Sequence, residues 1–216
     1  MLQQRRVGVF GGAFDPPHNA HAALIELAMK QLKLDQLRII PTGQAWHKAR
    51  PLSPAAHRLA MAKLAFSTIP GVVVDARETQ RAGPSYTVDT LQELRQENPN
   101  AELVLLIGGD QARALPTWHR WHDVLQYAII CVADRIDRTW AKGCFDPLGN
   151  VGAVKSELED PQKAFRDTHF LRLDMPLSPV SATDIRERVA AHQSVESLVC
   201  ESVARYIVDH HLYQTD

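Results

Sequence analysis

At 216 residues, 45% of them apolar, the chain is long enough to bury a real core as one large α/β domain, or one and a half ordinary ones. Its 24 basic and 25 acidic side chains nearly balance. That argues against a general nucleic-acid binder, so any phosphate binding must come from local groups and not from a global positive field. No apolar run approaches the roughly 20 residues of a membrane span. The three cysteines, Cys131, Cys144 and Cys200, are far apart and suggest neither a disulfide framework nor a cysteine zinc site. Met1 to Arg6 runs straight into a strand-like segment, leaving no room for a signal peptide. A cytoplasmic protein without membrane or nucleic-acid partners is expected, with thiols in a reducing compartment.

In chain order, residues 7–10 form an apolar run that stops at Gly11-Gly12 and reads as a first strand. Over residues 20–32, Ala23, Leu24, Leu27, Ala28 and Leu32 share one helical face, with Asn19 as the expected N-cap. Residues 37–40 read as a second strand, ended by Pro41. Ser53 as cap and Pro54 at the first helical position open a helix through about Phe66. A third strand follows at 72–74. The next helix spans 87–96, capped by Thr87, with Val88, Leu91 and Leu94 inward; residues 103–107 are a buried strand. Residues 118–125 read as a helix capped by Thr117 and 128–133 as another strand. The pattern weakens over 134–161, read as a long loop with at most a short helix. A last strand at 169–173 and helices at 182–192 and 197–210 complete the chain. Strands alternating with helices predict parallel β-α-β units covered on both faces. Without repeats or low-complexity tracts, residues 1–216 read as one domain whose C-terminal part, about 180–216, is a small helical appendage.

The most informative stretch is Gly11-Gly12-Ala13-Phe14-Asp15-Pro16-Pro17-His18-Asn19-Ala20-His21, between the first strand and the first helix. Open α/β sheets bind ligands at such a strand end. Paired glycines let the backbone approach a phosphate, and free N–H groups at the following helix start form an anion site. The G-x-G-x-x-G spacing does not fit and there is no Walker A sequence. His18 and His21, three apart, can project from the same side of the helix start. A zinc site would need a third ligand that the local sequence does not supply.

This stretch resembles the phosphate-binding signature of the nucleotidyltransferase superfamily, G-G-x-F-D-P-x-H-x-G-H, and departs from it only at Ala20, where the signature has glycine. Further segments, over nearly the whole chain, resemble the bacterial nicotinate mononucleotide adenylyltransferases. Ile39-Ile40-Pro41 followed by His47-Lys48 is similar to their strand and basic loop; Thr42-Gly43 and Ala45-Trp46 stand where asparagines and prolines are common. Lys48, Arg50 and Arg58 form a local positive cluster by sequence. Gly83-Pro84-Ser85-Tyr86-Thr87 resembles the family's S-Y-T segment, whose helix start suits a pyridine carboxylate. Gly108-Gly109-Asp110 follows a buried strand, where a carboxylate can accept from ribose hydroxyls. Pro116-Thr117-Trp118 resembles the T-W segment, and an indole offers a flat face to a pyridine ring. Trp121 reads as core, and His119 and His122 read as exposed helix histidines. Val180-Ser181-Ala182-Thr183-Asp184-Ile185-Arg186 resembles I-S-x-T-x-I-R, with hydroxyls and a guanidinium for triphosphate oxygens. Tyr206-Ile207 and Leu212-Tyr213 read as packing.

The resemblance implies a Rossmann-like, doubly wound, mostly parallel sheet and adenylyl transfer from ATP to nicotinate mononucleotide, giving nicotinate adenine dinucleotide and pyrophosphate. It implies ATP on Gly11, Gly12, Ala13, Phe14, His18, His21, Gly108, Asp110, Ser181, Thr183 and Arg186, with His18 and His21 catalytic. The acceptor falls to His47, Lys48, Tyr86, Thr87 and Trp118. Mg²⁺ is implied with ATP, held mainly by phosphates and water and by no protein ligand. Oligomeric state is not read from the sequence.

Overall fold

The computed structural model describes residues 4–44, 51–135, 170–175 and 180–214. They fall into two compact units. The first, Arg5–Ser85 with Ser178–Asp216, contains β1 (Arg6–Gly12), α1 (Asn19–Gln31), β2 (Gln36–Pro41), α2 (Ala55–Phe66), β3 (Val72–Val74), α3 (Arg77–Gln80), α7 (Ala182–Ala190) and α8 (Glu201–Asp209). Val7, Gly8, Val9 and Phe10 are buried in succession, so β1 is covered on both faces, as parallel strands are. It pairs in parallel with β2 from Val7↔Gln36 to Gly12↔Pro41, and β2 pairs with β3 from Leu37↔Val72. The C-terminal helices do not hang free. Met61 of α2 shares one buried cluster with Ile185, Val203, Ile207 and Leu212.

The second unit, Met1–Gln4 with Tyr86–Leu177, holds α4 (Thr87–Glu97), β4 (Glu102–Gly108), α5 (Gly109–Ala114), a 3-10 turn (Leu115–Thr117), α6 (Trp121–Tyr127), β5 (Ile129–Arg135) and β6 (Phe170–Met175). β4 buries five residues in a row and pairs in parallel with β5, which pairs in parallel with β6. Within the two units the strands lie in the orders β3-β2-β1 and β4-β5-β6, all parallel, as in Rossmann-like folds.

Several local expectations change. The N-cap of α1 is His18, not Asn19; of the expected face Ala28 and Leu32 are buried, Leu24 and Leu27 half-buried and Ala23 exposed, and Ile25 is buried with them. Asn19 is the first residue of the helix, tied to a distant segment by its N–H to the Leu198 carbonyl (2.9 Å) and its side-chain amide to the Ser197 carbonyl (3.0 Å). Pro54 and Tyr86, not Ser53 and Thr87, cap α2 and α4. α3 and α5, too short for a periodic signal, were not expected. Trp118 lies outside a helix: Arg120, at φ 50°, breaks the chain into a left-handed step, and α6 starts at Trp121. Trp121 is core, as read. The stretch 134–161 falls, from 136 on, outside the described residues, as do Cys144, His47, Lys48 and Arg50.

Candidate functional site

β1 ends in the Gly11-Gly12 pair, and the chain turns through the Phe14–Pro17 segment into α1. Phe14, at φ 47°, turns its ring inward to edge contacts with Phe10 (5.5 Å between centroids) and Phe66 (5.6 Å). The Phe14 side chain is therefore core, and only its backbone can face a ligand. A Cβ on Gly12 would meet that ring at 3.0 Å, whereas one on Gly11 would find nothing nearer than 3.9 Å. A side chain at Gly12 would press on that ring and displace it by a few tenths of an ångström; the space over Gly11 is open.

His18 and His21 stack, with centroids 3.7 Å apart and planes 24° from parallel. The His18 N–H donates to Nδ1 of His21 (3.2 Å). Nδ1 is thus an acceptor, and the neutral His21 ring carries its proton on Nε2. Nδ1 of His18 is buried without a hydrogen-bond partner, an arrangement expected where something else is to be bound. Burial lowers the pKa of His18 to about 4. Burial and then the neighbouring His18 charge hold that of His21 well below its ordinary value.

These depressed values give stability a pH dependence of known sign. Below its ordinary value near 6.5, an unfolded histidine takes up a proton that the folded one refuses, so stability is full above that pH and falls as pH drops towards 4. Urea midpoints of the ligand-free protein are expected to fall over that window, and less steeply in His18→Gln. An equal slope in the variant would exclude His18 as a source.

The Ser181–Arg186 segment is brought to the same loop. Ser181 caps α7, its Oγ accepting from the Asp184 N–H (3.1 Å), which leaves its O–H available to donate. Arg186 donates one nitrogen to the Asp15 carbonyl (2.8 Å) and another to Thr183 Oγ1 (2.9 Å).

Three residues of this neighbourhood were not read as site residues. Arg58 is only 2% exposed and is no part of a positive surface cluster. It donates to the carbonyls of Ser53 (2.8 Å), Ala13 (3.0 Å), Thr42 (2.6 Å) and Gly43 (3.2 Å), pinning the signature loop to the end of β2 and the start of α2. The available signal was its place on the buried stripe of α2 with Met61, Ala62 and Phe66. Asp15, also 2% exposed, accepts from the Ser53 N–H (3.2 Å) and from the Tyr213 hydroxyl (2.8 Å). Tyr213, read as packing, carried no local signal at all.

In the second unit, Gly108 is the N-cap of α5 and a Cβ there would meet Asp110 Oδ1 at 2.9 Å. Asp110 is exposed in the first turn. Tyr86 caps α4, and as at any helix start the N–H groups of Thr87 and Val88 have no carbonyl one turn back. The Tyr86 ring meets His119 at a tilt (4.3 Å, 34°), next to the half-buried Trp118. His119 is exposed, in a turn rather than a helix; His122 is half-buried against Trp121. Among the described residues no group of three His, Cys, Asp or Glu could hold a metal ion, and no helix is long and apolar enough to cross a membrane.

Residues 9–188 match the cytidylyltransferase-like family model. The chain is 58% identical to the "Probable nicotinate-nucleotide adenylyltransferase" of Albidiferax ferrireducens, over 98% of this chain and 99% of that one. It is 42% identical to the protein of the same name from Methylibium petroleiphilum, over 97% and 93%. In fold it is similar to Plasmodium falciparum nicotinic acid mononucleotide adenylyltransferase complexed with NaAD: TM-score 0.71, 13% identity, 97% of each chain covered. Nearly complete coverage at 58% identity, with the signature loop intact apart from Ala20, places the chain in the nicotinate-nucleotide adenylyltransferase family of cytidylyltransferase-like nucleotidyltransferases.

Proposed function

We propose that this chain transfers AMP from ATP to nicotinate mononucleotide, giving nicotinate adenine dinucleotide and pyrophosphate, as a cytoplasmic enzyme. The observation that carries the reading is the stacked His18–His21 pair at the start of α1, in one unit with Arg186 seated on the Asp15 carbonyl. The acceptor's phosphate oxygen attacks the α-phosphorus of ATP, a P–O bond forms, and the bond to the β-phosphate oxygen breaks. The nucleophile is already an anion, so alignment and donors for the developing charge are needed more than a strong base.

His21 Nε2–H and the His18 ring are the donors proposed for the α-phosphate. Gly11, Gly12 and the backbone of Ala13 and Phe14 line its approach. Ser181, Thr183 and Arg186 receive the β- and γ-phosphates, and Gly108 and Asp110 the nucleoside. Tyr86, Thr87 and Trp118 are the acceptor's pyridine site, and His47 and Lys48 remain proposed for its charged groups. Mg²⁺ would travel with the triphosphate, held by phosphate oxygens and water, and would neutralise charge on the leaving pyrophosphate.

Pyrophosphate release with ATP and either nicotinate or nicotinamide mononucleotide tests the reaction and its acceptor together. Stacking on Trp118 contributes similarly to acid and amide, because the pyridine face is the same. Discrimination must then come from the carboxylate at the N–H groups that open α4, a charge-assisted contact worth about 1.5–3 kcal/mol. The acid is expected to be preferred roughly 10- to 150-fold in kcat/KM. Trp118→Ala should damage use of both and leave their ratio largely intact. Equal efficiency with the two acceptors would sink the carboxylate assignment; no turnover with either would sink the reaction.

A further inference from the structure

Two tyrosines near the C-terminus make different connections. The Tyr206 hydroxyl meets His57 Nδ1 (3.0 Å), joining α8 to α2. The Tyr213 hydroxyl instead donates to Oδ1 of Asp15 (2.8 Å), 198 residues away in sequence and inside the signature loop. The tail turns to make this bond. His211 and Tyr213 hold φ 49° and 64°, a region L side chains rarely occupy unless the surroundings over-determine it. The Tyr213 ring itself packs on the cluster built around Met61 and Ile207, so the ring anchors the tail and the hydroxyl does something separate.

That hydroxyl acts on a node. Asp15 is 2% exposed, and its carboxylate takes the Ser53 N–H as well as Tyr213. Its carbonyl is the seat of Arg186 (2.8 Å), whose other end holds Thr183 (2.9 Å). A carboxylate clamped by donors fixes its own rotamer and, through it, the backbone carbonyl three bonds further on. Remove one clamp and the carboxylate re-seeks a donor; the adjacent guanidinium of Arg186 is a natural candidate, and would be drawn from its place. We propose that Tyr213 is a positioning residue for ATP: through Asp15 it holds Arg186 and the Phe14–Pro17 turn in the geometry that receives the triphosphate. This rests on the adenylyl-transfer reading above.

The test is Tyr213→Phe, which keeps the ring and deletes only the hydroxyl, with Tyr206→Phe as the control for tail packing. ATP binding is measured by calorimetry without acceptor, and KM for each substrate by pyrophosphate release. Tyr213→Phe is expected to raise both the Kd and the KM for ATP about tenfold, the lower end of the effect of a hydrogen bond to a charged group. Its KM for nicotinate mononucleotide should stay within about twofold, and Tyr206→Phe should leave ATP binding unchanged. The proposal is overturned if Tyr213→Phe binds ATP like the parent, whatever its thermal midpoint does. It is equally overturned if both substrates weaken together, or if the Tyr206 variant loses ATP to the same extent. Should the parent bind ATP but turn over neither mononucleotide, the reaction assigned above fails while the calorimetric comparison still decides the role of Tyr213.

Discussion

Replacing His18 or His21 by alanine is expected to lower kcat on the order of 10²–10³-fold, the usual result of removing one donor from a developing phosphate charge. The structure gives the two rings unequal supporting roles. His21 is held on three sides: its Nδ1 takes the His18 N–H, and its ring meets Phe14 (5.2 Å) and Phe10 (6.0 Å). His21→Ala therefore opens a space beside the core and should cost stability as well as turnover. His18 has an unpartnered buried nitrogen and a less enclosed ring, so His18→Ala should approach a purely kinetic lesion. Both rings are neutral at rest because of burial. A bound triphosphate works in the opposite direction, favouring the charged form of either ring just where charge accumulates. Turnover at saturating substrates, taken well below each variant's unfolding midpoint, checks the expectation. Near-normal kcat in either variant would remove that histidine from the phosphate contacts.

Arg58→Ala is expected to have the largest effect on stability. The guanidinium answers four carbonyls from three segments, and it lies close enough to the buried Asp15 for their charges to interact. Its removal leaves a buried carboxylate short of its countercharge and the Ala13, Thr42 and Gly43 carbonyls without that donor. A buried acceptor left without its donor typically costs about 1–3 kcal/mol, so a total of about 3–5 kcal/mol is expected, roughly 6–20 °C in the midpoint of a chain this size. Lysine should recover little, since one ammonium cannot span carbonyls arranged around a planar fork. Urea denaturation of the folded variants measures this directly. A loss below about 1 kcal/mol would mean that the loop carbonyls find water or other donors without penalty.

The sequence by itself determined the features whose causes are local. Strands such as the buried runs of β1 and β4 were legible because a strand covered on both faces must be apolar throughout. The Gly11–His21 signature was legible because the chemistry of a strand-to-helix phosphate loop sits within eleven consecutive residues. What came out differently depends on groups distant in sequence. Asn19 is the first residue of α1 and not its cap, and the distant Ser197 and Leu198 carbonyls take its donors there. Trp118 left its expected helix because Arg120 steps into the left-handed region; Arg120 donates to Asp123 (2.7 Å), while its Asp89 contact (4.0 Å) is long and exposed. Arg58, a charged residue near the start of a helix read from the sequence, became the largest fully buried side chain once four carbonyls converged on it. The bond from Tyr213 to Asp15 joins the last turn of the chain to its first loop, and no periodicity or propensity extends over 198 residues. Only the tertiary fold decides such pairs, because a buried charge takes whichever donors the packing brings within reach.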